Sequence, residues 1–305
     1  MRRLVPEVIQ TSSMDCGVAA LKAALAGFDI EVDLGRLREA CQTSVDGTSI
    51  DVLEDVCNQL GLSCEQRVMP IDFLLHPLSR SLPGMVVTRS GLGLTHFELL
   101  WGRYGRFLQV MDPGTGRRLE RISSLRPRLH VHIMHVPAAD WLAWFADDDT
   151  QQVLAAILRD LHVRPALREE ILATGRWQDL AALDAAARQV GQLVEAGALR
   201  PGPETARLVE LFATDAIAAE RPMDVIPEGL WSARPPDRSA PGFSEEEGEQ
   251  LRIVGAVVLC FQGRAKEAVA LESLPVELRA ALSTPPARPG RILWSLLASP
   301  QDAPQ

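Results

Sequence analysis

The sequence predicts an α+β fold, with helices first, an antiparallel sheet after them, and a helix-rich acidic region beyond. Three observations lead there. Residues 16–27 and 49–60 have the Ala/Leu content or 3.6-residue periodicity of helices. From Cys64 to Val136 the pattern changes to short apolar or alternating runs separated by turn residues. Acidic residues then accumulate past the Asp147-Asp148-Asp149 run: the first 146 residues are nearly charge-balanced, and the remainder carries almost all of the net charge of −9. Helices followed by consecutive strands is the order expected of an α+β layer structure.

The run from Cys16 to Gly27 is preceded by Ser12, Ser13 and Asp15, which are helix-capping types, and it stops on a glycine. A second helix covers Asp33–Cys41. A third begins near Ser49 and runs to Leu60 before Gly61, with Ile50, Leu53, Val56, Cys57 and Leu60 on one face. Cys64–Met69 and Gly84–Thr88 read as short strands. Thr95–Trp101 and Phe107–Asp112 read as a hairpin around residues 102–106, and the alternating residues 129–136 as a last strand. These elements make a first domain over residues 1–140. A helical domain is expected over 147–220, broken at Gly175, Gly197 and Pro201-Gly202-Pro203. A Pro/Glu-rich linker or loop follows over 221–249. The last segment, 250–305, is small and mixed α/β: a strand pair within 250–271, a short helix over 275–283, then a Pro-rich tail. No internal repeat is evident.

With 305 residues, 47% apolar and 23% charged, the chain has the composition of a soluble globular protein. Its negative charge disfavours nucleic acid as a partner. The longest strongly apolar run, Ile253–Phe261, is too short for a membrane helix, which needs about 18–20 residues. No apolar segment follows Arg2 and Arg3, so the start is not a secretory signal and a cytoplasmic location is expected. Five cysteines without a CxxC or a neighbouring His at zinc spacing imply reduced thiols, no metal site and no cofactor. Cys41, Cys57 and Cys64 read as small buried hydrophobes.

Cys16 differs, because it stands where a helix begins. There the free backbone N–H groups and the helix dipole favour a thiolate, and an adjacent His lowers the thiol further. A nucleophilic thiol needs such a His, and the His needs an orienting group. Six histidines compete for the role. If the hairpin pairs symmetrically about Tyr104, opposed residues have numbers summing to 208 and His96 lies directly across from Asp112. A slip of one residue would turn the two to opposite faces, and a turn-forming Asp at a solvated hairpin end is the alternative. Gln10, on the loop before the helix, is a candidate oxyanion donor beside the Cys16 N–H.

The stretch Val8-Ile9-Gln10-Thr11-Ser12-Ser13-Met14-Asp15-Cys16-Gly17-Val18-Ala19-Ala20-Leu21 resembles the opening motif of the C39 family of cysteine peptidases, Q-x4-D-C-G followed by a small-residue helix. Further blocks follow in order. Cys41-Gln42-Thr43-Ser44-Val45-Asp46-Gly47-Thr48-Ser49 is similar to the family's turn into its next helix, Leu60-Gly61-Leu62 to that helix end, and Leu82-Pro83-Gly84 to the strand leading to the His. His96-Phe97-Glu98-Leu99-Leu100 resembles its HF-apolar block and Asp112-Pro113-Gly114-Thr115-Gly116 its D-P-x-x-G. The resemblance covers residue 5 to about 136. It implies a papain-like fold in which Cys16 is the nucleophile, His96 the general base and acid, Asp112 the orienter and Gln10 the oxyanion donor. Asp15 matches the family's residue before the nucleophile and reads as structural or N-capping. The family's activity is cleavage of leader peptides after a double-glycine site, and Gly at P1 and P2 is the family's preference.

Most family members continue into membrane helices and a nucleotide-binding domain. No membrane span or phosphate-binding loop is legible in this sequence. The resemblance therefore implies a precursor leader as substrate and ABC exporter subunits as partners, in trans or within a longer chain. Two other functions share the same parts: a leader- or cargo-binding module that does not cut, and a papain-like acyltransferase or amidase. Among the remaining histidines, His130 and His132 share a strand face with His135 opposite, a poor arrangement for zinc. His76 and His162 read as surface or interface residues. The basic cluster Arg117, Arg118, Arg121, Arg126 and Arg128 reads as a solvated face, with an acidic leader helix as the alternative partner.

Overall fold

In the computed structural model, which describes residues 1–45, 47–89, 93–236, 249–265 and 274–283, the Ala-rich run forms helix α1 (Cys16–Gly27). It is buried on nearly every side, which its small residues allow. Helix α2 (Leu34–Ala40) starts at Asp33, whose carboxylate accepts the Arg36 N–H. Helix α3 (Ile50–Gln59) starts at Ser49, whose hydroxyl accepts the Val52 N–H, and stops before Gly61 at φ +82°. Then come β1 (Leu62–Met69), the one-turn α4 (Ile71–Leu74), β2 (Gly84–Arg89), β3 (Thr95–Tyr104), β4 (Phe107–Asp112), β5 (Gly116–Arg121) and α5 (Ile122–Leu125). Strand β6 (His132–Pro137) leads to the helices α6 (Ala138–Ala146), α7 (Asp148–Asp160), α8 (Pro165–Ala173), α9 (Trp177–Glu195), α10 (Pro203–Ala218) and α11 (Pro222–Val225). Strands β7 (Ala233–Arg234) and β8 (Gln250–Arg264) and helix α12 (Val276–Ser283) follow.

These elements form two compact units that interleave along the chain, whereas the sequence reading drew successive segments with a break near residue 147. The first unit takes residues 1–67, 81–130 and the described part of 258–305; the second takes 68–80 and 131–257. Residues 250–264 are one long strand, not the expected strand pair. Its pairing partners, Gly84–Val86 in the first unit and His132–Pro137 in the second, lie far away in sequence, which local patterning does not reveal. Residues 237–248, 266–273 and the Pro-rich tail lie outside the described residues.

In the first unit the strand order is β1, the second half of β8, β2, β3, β4, β5. One row of directly paired residues, Leu259, Met85, Leu99 and Met111, crosses the sheet with no exposed surface. It shares a core with Val18, Leu21 and Leu25 of α1 and Leu53 of α3. Each such side chain contributes about 1.5–3 kcal/mol of hydrophobic stabilisation. Trp101 closes the far end, its Nε1 donating to the Arg2 carbonyl at 3.0 Å and its ring meeting Phe28 edge-on.

The β3–β4 pairing corrects the symmetric hairpin. The chain turns at Gly105 and Arg106, with Gly105 at φ +60°, so Tyr104 faces Phe107. Pairs next to the turn have numbers summing to 211, an odd register that would place His96 and Asp112 on opposite faces. A bulge between Leu100 and Gly102 then removes Trp101 from the pairing, and beyond it the sum is 210. His96 and Asp112 therefore share a face as diagonal neighbours, not as a directly opposed pair.

The second unit packs Trp141, Phe145, Leu154, Trp177, Leu183 and Val209 into its own core. Strands β6 and β7 both pair with the first half of β8. The expected strand over 129–136 begins only at His132; Leu129 makes an isolated bridge to Thr88 in the first unit. Half-buried Arg188 bonds Asp72 and Asp184, each at 3.0 Å. Among the described residues, no helix is long and apolar enough to cross a membrane.

A methyl group on Gly27 would stand 2.2 Å from the Trp101 ring. Gly27→Ala is therefore expected to cost about 1–3 kcal/mol of stability through overpacking. The measurement is urea unfolding, and an unchanged midpoint would show that the indole yields without cost.

Candidate active site

Cys16 opens α1, half-buried, and His96 and the backbone N–H groups of Phe97 and Gly17 act on its sulfur to favour the thiolate. The approach of β3 to this helix depends on Gly17. A Cβ there would lie 3.0 Å from Leu53 Cδ1 and 3.2 Å from the Phe97 ring. Phe97 follows His96 directly, so the missing side chain at Gly17 lets the histidine's own strand reach the helix start.

His96 Nε2 meets Asp112 Oδ1 at 2.8 Å, leaving Nδ1 as the ring nitrogen for Cys16. Asp112 ends β4 and is held from several sides. The Gly114 N–H donates to Oδ1 at 2.8 Å, while the Thr115 hydroxyl and Arg118 Nη1 donate to Oδ2 at 2.7 and 2.8 Å. The turn-forming and histidine-facing readings of Asp112 hold together: its carbonyl accepts the Thr115 N–H across the turn while its carboxylate meets the ring.

The Gln10 N–H donates to the Pro113 carbonyl at 2.9 Å, tying the loop before Cys16 to the turn after Asp112. Its side-chain Oε1 is buried and finds no hydrogen-bond partner among the described residues. Asp15 is buried at the position before the helix without capping it. It accepts from the Thr11 hydroxyl at 2.7 Å and pairs with Arg38 Nε at 2.8 Å, which fastens the loop to α2.

Burial pushes the Cys16 thiol up, but the His96 bond, the Phe97 N–H and the imidazolium charge outweigh it and leave it below its ordinary value. His96 is raised to about 9, first by Asp112 and then by Cys16, against burial. Burial also pushes Asp112 up, yet the bonds from His96, Thr115 and Gly114 hold it well below the usual carboxylate range. Both shifts favour the thiolate–imidazolium form of the pair. By contrast, burial alone pushes Cys41 up to about 12.

Sequence reasoning missed Gly17, Phe97, Thr115 and Arg118 as parts of this cluster. Thr115 was within reach, since it stands three residues after Asp112 across a turn. Arg118 and Arg128 correct the solvated-face reading: Arg118 Nη2 meets Glu98 at 3.0 Å, and Arg128 Nη1 meets Glu98 at 2.6 Å. Arg117 Nη1 donates to the Val5 carbonyl, and Arg121 lies over the Phe107 ring. Among the described residues, no group of three or more His, Cys, Asp or Glu side chains gathers to hold a metal ion.

The ionisation states set a pH dependence. Alkylation of Cys16 by iodoacetamide is expected to reach its plateau rate at a lower pH than an ordinary thiol does, and to fall where the thiolate is protonated. His96→Ala removes two of the lowering influences and leaves burial, so the alkylation profile should move to higher pH. Mass-spectrometric rates across pH 4–11 (roughly the span separating acid from thiol ionisation) test this. A profile unaltered by the substitution would remove His96 from contact with the sulfur.

The peptidase C39 family model matches residues 5–127. The transport/processing ATP-binding protein ComA of Streptococcus pneumoniae (strain ATCC BAA-255 / R6) is 28% identical over 114 residues, covering 37% of this chain and 16% of that protein. The chain thus matches only a small part of the curated relative's length. Among solved structures, a double glycine motif protease from an AMS/PCAT transporter in complex with the leader peptide aligns at 22% identity and a TM-score of 0.37. That alignment covers 42% of this chain and 87% of that one. The peptidase domain of Streptococcus ComA aligns at 19% identity and a TM-score of 0.38, covering 41% and 92%. The chain thus resembles the peptidase C39 family over residues 5–127, a stretch that takes in Cys16, His96 and Asp112.

Proposed function

We propose that this chain is a cysteine endopeptidase that cuts leader peptides from ribosomally made precursors after a double-glycine-type site, in association with an ABC exporter. The observation that carries the catalytic part is the unbroken series from Asp112 through His96 to a thiol at a helix start. The leader and exporter parts rest on the family match and on the likeness to a transport/processing protein.

In this reading the Cys16 thiolate attacks the carbonyl carbon of the P1 residue, and the carbonyl oxygen takes up the negative charge. The Cys16 N–H and the Gln10 side-chain amide donate to that oxygen. His96, already protonated, gives its proton to the leaving nitrogen as the C–N bond breaks, and a thioester remains on Cys16. Water then attacks the thioester while His96 takes its proton; the leader leaves as a carboxylate and the thiolate–imidazolium pair returns. Asp112 keeps the ring oriented and charged throughout and is never protonated. An intact nucleophile, base and orienter argue against a module that only binds.

Incubation with a precursor whose leader ends in Gly-Gly should release a leader-length fragment, seen by mass spectrometry. Cys16→Ala should abolish cleavage, a loss of roughly three orders of magnitude or more. Continued cutting by that variant sinks the assignment. Gln10→Ala is expected to lower kcat by about 10²–10³-fold with little change in KM, because its contact is made in the transition state. An equal rise in KM at constant kcat would place Gln10 in ground-state binding instead.

A further inference from the structure

We infer that Arg118 is a positioning residue for this reaction, acting through Asp112, with Glu98 as the anchor that returns the contact to the histidine's own strand. The inference rests on the peptidase reading above and names a residue that the reading does not use.

Arg118 stands on β5, two residues beyond Gly116, the pairing partner of Asp112. Its Nη1 donates to Asp112 Oδ2 at 2.8 Å and to the Thr115 hydroxyl at 3.2 Å. The other side of the guanidinium is occupied: Nη2 meets Glu98 Oε2 at 3.0 Å and Glu120 Oε2 at 2.9 Å, and Nε meets Glu120 Oε2 at 3.1 Å. A planar fork held along one edge by carboxylates presents its remaining N–H groups in a fixed direction. Here that direction is the outer oxygen of Asp112.

Glu98 makes this more than a local clamp. It lies two residues after His96 on the same face of β3, and its side chain is only 2% exposed. The contacts therefore close a ring: His96 to Asp112, Asp112 to Arg118, Arg118 to Glu98, and Glu98 back along β3 to His96. The Gly114 and Thr115 bonds fix Asp112 to its own turn, and the ring ties the carboxylate to the strand that carries His96. Arg128 grips Glu98 and Glu120 from the other side without touching Asp112. It is a natural control, since its loss removes the same charge from the same network.

The test compares Arg118→Gln, Arg118→Lys and Arg128→Gln in the full chain. Two readings are taken: precursor cleavage, and the pH profile of Cys16 alkylation, which needs no peptide substrate. Arg118→Gln should lower kcat by roughly 10–10²-fold at unchanged KM, as small misplacements of a catalytic group do. It should also move the alkylation profile to higher pH, because a wandering Asp112 no longer supports the imidazolium. Arg118→Lys, which keeps a charged donor near Asp112, should recover part of both effects, and Arg128→Gln should show neither. Wild-type behaviour in Arg118→Gln overturns the inference, as does an equal change in Arg128→Gln that follows thermal stability. If Arg118→Gln does not fold, the Lys variant decides, since a wild-type profile and a wild-type kcat there with full loss in Arg128→Gln would reverse the assignment. If wild type cuts no double-glycine precursor, the leader reading fails while the alkylation profiles still decide the role of Arg118.

Discussion

The arrangement of this site depends on the parity of one strand pairing. A tight turn at Gly105 starts β3 and β4 in an odd register, in which His96 and Asp112 would face opposite ways. The bulge at Trp101 removes one residue from the ladder and restores an even register before the strands reach the site. The same residue is used in packing, since its ring lies against Gly27 and Phe28 at the end of α1. A substitution at the far end of the hairpin that repaired the ladder would thus break the site without touching it.

Charge is the second constraint. Asp112, Glu98 and Glu120 lie on one face of the sheet with little exposure, and two arginines stand among them. Each guanidinium meets two of these carboxylates or more. The buried ion pairs do not by themselves imply stability, because desolvation offsets much of their attraction. Their consequence is local: they hold Asp112 in place, Asp112 favours the imidazolium, and the imidazolium favours the thiolate. Cys41 and Cys57 lie within the same unit, where burial without a cation raises the thiol and leaves it inert.

Much of this was legible before the structure. The ends of α1, α2 and α3 follow from Gly27, Asp33, Ser49 and Gly61, whose roles are local and chemical. The pairing of His96 with Asp112 was reached from a hairpin assumed symmetric, with the correct face and the wrong partner, because a bulge leaves no mark in an alternating pattern. Long-range facts were less accessible. Nothing in the run Ile253–Phe261 says that it continues a strand serving two units. Nothing in a row of arginines separates those exposed to water from those gripping Glu98. Sign and spacing were readable, but partners contributed by other strands were not.

The interleaving of the two units has a consequence for the chain as it is made. Cys16, His96 and Asp112 all lie within the first 112 residues. The strand that pairs with β2 on its open side, Val258–Cys260, comes almost 150 residues later, after the whole of the second unit. At about 5–20 residues per second, the nascent sheet of the first unit waits on the order of ten seconds with one edge unsatisfied. The site is therefore completed late in synthesis, and a stalled ribosome would release a thiol without its finished scaffold.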